Sequence, residues 1–161
     1  MAVTDGTVRM DEGAGSKEVL RLLREQADLY VQLEALAARQ QSLVSDDDVG
    51  PLLSVLADRQ KLSARLTQVA RRLAPLRRDW DRYRAALTPA ERDEAEEKLR
   101  DASERLQRII ESDERDARVL SGRKQAVAAA LRSTHVQGSA MTAYRSATGR
   151  PGRLDCTHDG V

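Results

Sequence analysis

An all-α fold, a three-helix coiled-coil bundle built on an elongated antiparallel helical hairpin with disordered termini, follows from three features of this sequence. The 161 residues are dominated by Ala, Leu, Arg, Glu and Gln, which favour helix, and include one Trp, three Tyr and no Phe. From Leu52 to Leu87 apolar residues recur at alternating three- and four-residue spacing, sustained over about five heptads, which is the seam of a coiled coil. Thr88-Pro89-Ala90-Glu91 then reads as a capping box with proline at the first helical position, a specific signal for a tight turn into another helix.

Residues 1–15 contain three glycines and no apolar periodicity, and are expected to be a disordered leader. The first helix is expected over 16–45, with Ser16 as its N-cap. Leu22, Leu29, Leu36 and Leu43 form one row, and Leu23, Tyr30, Ala37 and Val44 the adjacent row, giving a wide apolar stripe. Ser45-Asp46-Asp47-Asp48 is a polar break; with Asp48 as N-cap, Pro51 falls in the first turn of the second helix, where its missing N–H does no harm.

The second helix is expected over 49–87. Its seam is Leu52, Val55, Arg59, Leu62, Leu66, Val69, Leu73, Leu76, Trp80, Tyr83 and Leu87, broken in character only by Arg59. Pro75 cannot donate to the Arg71 carbonyl and predicts a kink. The apolar phase is the same on both sides of Pro75, so the reading is one bent helix. The third helix is expected over 89–137, with a seam of Ala95, Leu99, Ala102, Leu106, Ile109, Asp113, Asp116 and Leu120, continuing through Val127 and Leu131. Gly138 would end or interrupt it. Residues 138–161 are expected to form a short helical turn and a flexible tail containing Cys156 and His158.

A turn at Thr88 forces the second and third helices antiparallel, with facing residues whose numbers sum to about 176. Trp80 then meets Ala95, large against small, and Arg59 falls at the level of Asp113 and Asp116. An arginine in an apolar seam is costly unless paired, so either it pairs with these aspartates or its head reaches solvent along its apolar stem. The first helix folds back over the hairpin. If the third helix runs to Ser133 it is roughly 65 Å long, and residues beyond about Ala126 pass the end of the second helix.

Chemistry-bearing motifs are sparse. Lys and Arg number 27 against 26 Asp and Glu, a balance that argues against a protein devoted to nucleic acid. One cysteine excludes an internal disulfide, and Cys156 with His158 supplies too few ligands for zinc. No nucleophile motif or phosphate loop is present, so no enzyme activity, cofactor or metal is expected. No apolar stretch is long enough to span a membrane and no secretion signal opens the chain, which makes the cytoplasm the default location. The remaining candidate is the stretch carrying Val127, Ala130, Leu131, Val136, Met141 and Tyr144. Its apolar residues have no predicted helix to cover them, and an amphipathic segment of this kind suits recognition of a partner helix. Packing back on the bundle, or a homodimer, are the alternatives.

The layout resembles the FlgN-type flagellar export chaperones over roughly Lys17 to Tyr144. The features that carry the resemblance are Leu33-Glu34-Ala35-Leu36, the acidic break Asp46-Asp47-Asp48 before Leu52-Leu53-Ser54-Val55-Leu56, the charged third helix with Asp116-Ala117-Arg118-Val119-Leu120, and a small-residue segment ending in Tyr144. Many members have Asn at the position of Asp116 and Gly after the tyrosine, where this chain has Arg145 and a longer tail. The resemblance implies a cytoplasmic chaperone, monomeric or a small homo-oligomer. It would bind hook-associated proteins of the hook–filament junction with its C-terminal region and hand them to the flagellar type III export machinery. The competing expectation is a homo-oligomeric coiled-coil scaffold or adaptor.

Overall fold

The seam read from Leu52 to Leu87 is the inner edge of the folded chain. In the computed structural model, which describes residues 5–148, every seam position in this run is buried or half-buried and every other residue between them is exposed. The fold is all-α. Helix α1 spans Asp5–Leu43, α2 Gly50–Arg78, α3 Trp80–Ala86 and α4 Pro89–Thr148. The chain divides into two units, Met1–Leu120 and Ser121–Val161.

The first unit is a three-helix arrangement whose directions are recorded in its side-chain pairs. Arg84 pairs with Glu96 and Arg59 with Asp113, so the α2–α3 arm and α4 run antiparallel about the Thr88 turn. Arg82, Arg72 and Arg65 pair with Glu12, Glu18 and Glu25, so α1 is antiparallel to that arm. Pairs between α1 and α4 keep separations of 70 to 76 residues, from Arg24–Glu94 to Gln40–Asp116, so those two helices run parallel. The core holds Val19, Leu20, Leu22, Leu23 and Leu29 of α1, Val69 and Leu73 of α2, Leu87, and Ala95 of α4, with Trp80 and Leu99 packed against it. A second cluster joins Leu33 and Ala37 to Ile109, with Leu62 and Leu66 alongside.

Several boundaries differ from the sequence expectations. Helix α1 begins at Asp5, so residues 5–15, expected as part of a disordered leader, are helical; Met1–Thr4 lie outside the described residues. Gly15 makes close packing possible, because a Cβ there would lie 2.2 Å from the Tyr83 ring. Ser16 is not an N-cap. Its buried hydroxyl lies 2.6 Å from the Glu12 carbonyl oxygen and 3.0 Å from that of Tyr83. The Tyr83 carbonyl belongs to the last turn of α3, where helix carbonyls lack an internal donor. The glycines that suggested a loose leader therefore include one that admits an aromatic ring.

Asp48 is not the cap residue of α2 either. Val49 holds that position, while the Asp48 carboxylate accepts the Gly50 N–H at 2.9 Å and Pro51 sits in the first turn. Pro75 lies within α2, but the helix parts four residues later, at Asp79, whose φ of −107° and ψ of 27° leave the helical region. The Asp79 N–H turns to the Leu76 carbonyl at 3.3 Å, and the Tyr83 N–H to the Asp79 carbonyl at 3.1 Å. The arm is thus two helices joined through one residue rather than one bent helix. The apolar phase survives the joint because Leu73, Leu76, Trp80, Tyr83 and Leu87 all stay on the inner side.

The capping box forms fully. Thr88 donates its N–H to Glu91 at 2.9 Å, and the Glu91 N–H reaches the Thr88 hydroxyl at 3.3 Å. The Thr88 backbone, then its hydroxyl, hold the Glu91 carboxyl below the ordinary carboxylate value. Arg92 adds bonds to the carbonyls of Leu87 at 3.1 Å and Ala85 at 3.4 Å at the end of α3. Gly138 does not stop α4, and the stretch expected as loose turns continues it to Thr148. One glycine costs a helix only about 1 kcal/mol relative to alanine, too little to end a long helix by itself. Gly149–Val161, including Cys156 and His158, lie outside the described residues.

Candidate partner-binding surface

Two sets of residues carry the functional question, and each belongs to one unit. In the first unit a polar layer crosses the bundle. Arg59 reaches Asp113 with two parallel bonds, of 2.7 Å and 2.8 Å, and also donates to the Gln40 side-chain oxygen. Gln40 in turn donates its amide N–H to Asp116 at 2.7 Å. Asp116 is 2 % exposed, and among the described residues no buried side-chain nitrogen or oxygen lacks a hydrogen-bond partner. Four polar groups on three helices thus satisfy one another at one level, the condition under which a polar core layer is tolerable. Arg59 does not turn its head to solvent; it joins α1 to α4 from α2.

Gln40 was absent from the sequence reading. Its signal was there: Leu33, Ala37, Gln40 and Val44 follow three- and four-residue spacing, and all four are buried. The rows drawn through Leu36 and Leu43 missed it because the buried stripe drifts around a straight helix, leaving those two leucines only half-buried. The seam of α4 divides in a similar way. Ala95, Ala102, Ile109 and Asp116, seven residues apart, are buried, with Ser112 beside them. The companion row of Leu99, Leu106, Asp113 and Leu120 is half-buried or exposed. The small Ala95 and Ala102 bring α4 close to α1, and the companion row turns toward the α2–α3 arm. A cavity of about 220 Å³ lies there among Val19, Leu23, Leu73, Arg77, Trp80 and Leu99.

Electrostatic clamps fix the same register from outside. Glu34 of α1 accepts from Arg105 and, at 2.6 Å, from Arg108. The Arg108 hydrogen bond is the main reason its carboxyl is held low; burial opposes this and Arg105 adds to it. Arg24 holds Glu94 with bonds of 2.6 Å and 2.8 Å and lowers its carboxyl likewise. Glu18 is lowered first by its bond from Arg21, against some burial, then by the charges of Arg21 and Arg72. These pairs are largely solvent-exposed, so each adds little to stability, and their value is in setting which residues face each other.

The second unit has a different character. Among its described residues none is buried, and only Arg123 is half-buried. Val127 is 59 % exposed, Leu131 67 % and Val136 66 %. Ala130 is exposed as well. Met141 and Tyr144 fall within α4, and their side chains lie outside the described residues. Within α4 the six candidate residues do not share one face. Val127, Ala130 and Leu131 do, whereas Val136 is about 140° around the helix from Leu131 at 3.6 residues per turn.

No described helix is long and apolar enough to cross a membrane, and no group of three or more His, Cys, Asp or Glu among the described residues could hold a metal ion. Comparison with protein-family models, curated proteins and solved structures finds no match.

Proposed function

We propose that this chain is an export chaperone of the FlgN type. It would bind hook-associated proteins of the hook–filament junction in the cytoplasm, keep them from assembling early, and deliver them to the flagellar type III export apparatus. The observation that carries this reading is the exposed row of Val127, Ala130 and Leu131 on a long helix whose described residues from Ser121 onward include no buried one. Bulky apolar side chains held in ordered helix without cover cost free energy in water, and their common use is partner recognition. The order of elements that resembles the FlgN-type chaperones supplies the class of partner. The protein acts here by covering sticky helices of its client, with no catalytic step and no cofactor.

The test is a calorimetric titration of a hook-associated protein into the full-length chain and into Leu131→Asp. Tight binding to the first and at least tenfold weaker binding to the second, with unchanged melting, is the expected result. Equal binding by both places the client surface elsewhere. Absence of binding, together with a stable homodimer that Leu131→Asp dissociates in sedimentation, would favour the coiled-coil scaffold instead.

A further inference from the structure

The cavity of about 220 Å³ beside Trp80 meets a second one of about 400 Å³, and Arg77 and Leu99 line both. Both lie within the first unit. The two differ in character. Around the smaller, Val19, Leu23 and Leu73 are each 2 % exposed, and Arg77 brings the only charge. The larger is lined by Ala102 and Leu106 but also by Gln26, Tyr30 and Ser103. Among the described residues none of Gln26, Tyr30, Arg77 and Ser103 has a side-chain hydrogen-bond or ion-pair partner. Arg72, Arg82 and Arg84 of the same arm are each paired with a glutamate. No carboxylate is among the described residues lining either cavity.

From this arrangement we infer that the bundle binds a small amphipathic carboxylate, of the class of a medium-chain fatty acid, with its hydrocarbon tail beside Trp80 and its carboxylate at Arg77. The site belongs to the first unit alone and does not depend on what the second unit recognises. A dry apolar cavity of about 150 Å³ already admits a benzene ring, so the smaller cavity has room for a short hydrocarbon chain. With the larger one it reaches the size usual for ligand sites, about 300–1,000 Å³, in which a mostly apolar wall carries a few converging polar groups. A partner helix is about 10 Å across with its side chains and is too thick to enter the smaller cavity, whereas a single chain fits.

The charge selects the head group. Arg77 stays protonated at any ordinary pH, and its fork of donors matches the two oxygens of a carboxylate. Gln26, Tyr30 and Ser103 add neutral donors on the same side, and no lining acid repels an anion.

Trp80 is the only tryptophan of the chain and lines the smaller cavity, so its fluorescence reports occupancy. Octanoate, octanol and acetate are titrated separately into the full-length chain and into Arg77→Gln. Octanoate should change Trp80 emission saturably, raise the melting midpoint, and bind roughly tenfold or more tightly than octanol. Acetate should leave the emission unchanged. Arg77→Gln should lose that advantage for octanoate while binding octanol as the natural chain does, which also shows that its cavity is intact. Emission that never saturates with octanoate would overturn the inference. So would octanol binding the natural chain as tightly as octanoate, acetate reproducing the octanoate response, or Arg77→Gln keeping full octanoate affinity.

Discussion

Val69 and Val127 are the same residue in the same kind of three- and four-spaced row, yet the first is 3 % exposed and the second 59 %. Val69 meets α1 leucines and the start of α4 in the main core, whereas none of the described residues of the second unit, Val127 included, is buried. An apolar row specifies which side of a helix avoids water. Whether anything covers that side depends on other helices and on where their turns place them. The same pattern therefore stabilises the fold in one region and stays exposed in the other.

The comparison breaks most sharply under leucine truncation. Leu22→Ala removes a side chain with no exposure and should cost about 3 kcal/mol, within the usual range of about 2–5 for buried leucines. Leu131→Ala should change stability by no more than about 0.5 kcal/mol, because surface changes rarely exceed that. Chemical denaturation of the two variants measures both, and a similar cost at the two sites would mean that Leu131 is covered.

The polar layer should give the next largest effect. Gln40→Leu removes the amide that donates to the buried Asp116 carboxylate, and should cost roughly 1–3 kcal/mol, the penalty of leaving such a group unsatisfied. Asp113→Ala should cost less, about 1 kcal/mol, since the Asp113 side chain is already 43 % exposed and Arg59 keeps Gln40. Equilibrium unfolding that ranks these two in the opposite order would show that Asp113, not Asp116, is the costly charge.

Two neighbouring glycines sharpen the account of α1. Gly15→Ala should destabilise by about 1–2 kcal/mol through overpacking against the Tyr83 ring. Gly13→Ala, with nothing within 4 Å of its new Cβ, should stabilise by about 0.5–1 kcal/mol from helix propensity. Thermal melting of both variants decides it, and equal effects would mean that the start of α1 does not pack as described.

The smallest single effects belong to the exposed clamps. Glu18, Glu34, Glu91 and Glu94 have carboxyl groups held below their ordinary value in the folded chain. Their contribution is therefore fully present above the unfolded carboxylate value of about 4.3, and is lost as pH falls through the lower folded values. Stability measured from pH 7 downward should stay level in carboxylate terms until about pH 5 and then decline. Glu34→Gln should make that decline shallower.

Much of the first unit was legible in the sequence, because its signals are local and repeated. The Leu52–Leu87 seam needs only the three-four spacing, and the Thr88 capping box fixes the turn from which Arg59 falls opposite Asp113. What escaped notice depends on contacts between distant residues. Gly15 reads as a loop signal until Tyr83 is known to lie against it. Gln40 looks like a surface glutamine until the drift of the α1 stripe brings it to Asp116. The parting at Asp79 is not the kink read from Pro75, whose missing donor and ring act on the preceding turn at Arg71 while the helix continues to Arg78. On the candidate surface, composition marked Val127 to Tyr144 as apolar, while the helical spacing within the expected 89–137 helix already sets Val136 apart from Val127 and Leu131.

Deleting the chain after Gln125 separates stability, assigned to the first unit, from the recognition proposed for the second. Melting of the truncated protein and titration with a hook-associated protein are read on the same sample. The expected result is a bundle that melts within a few degrees of the full chain, because little buried area is lost, and that no longer captures the hook-associated protein. A truncated chain that unfolds, or that binds its client at full strength, would contradict it.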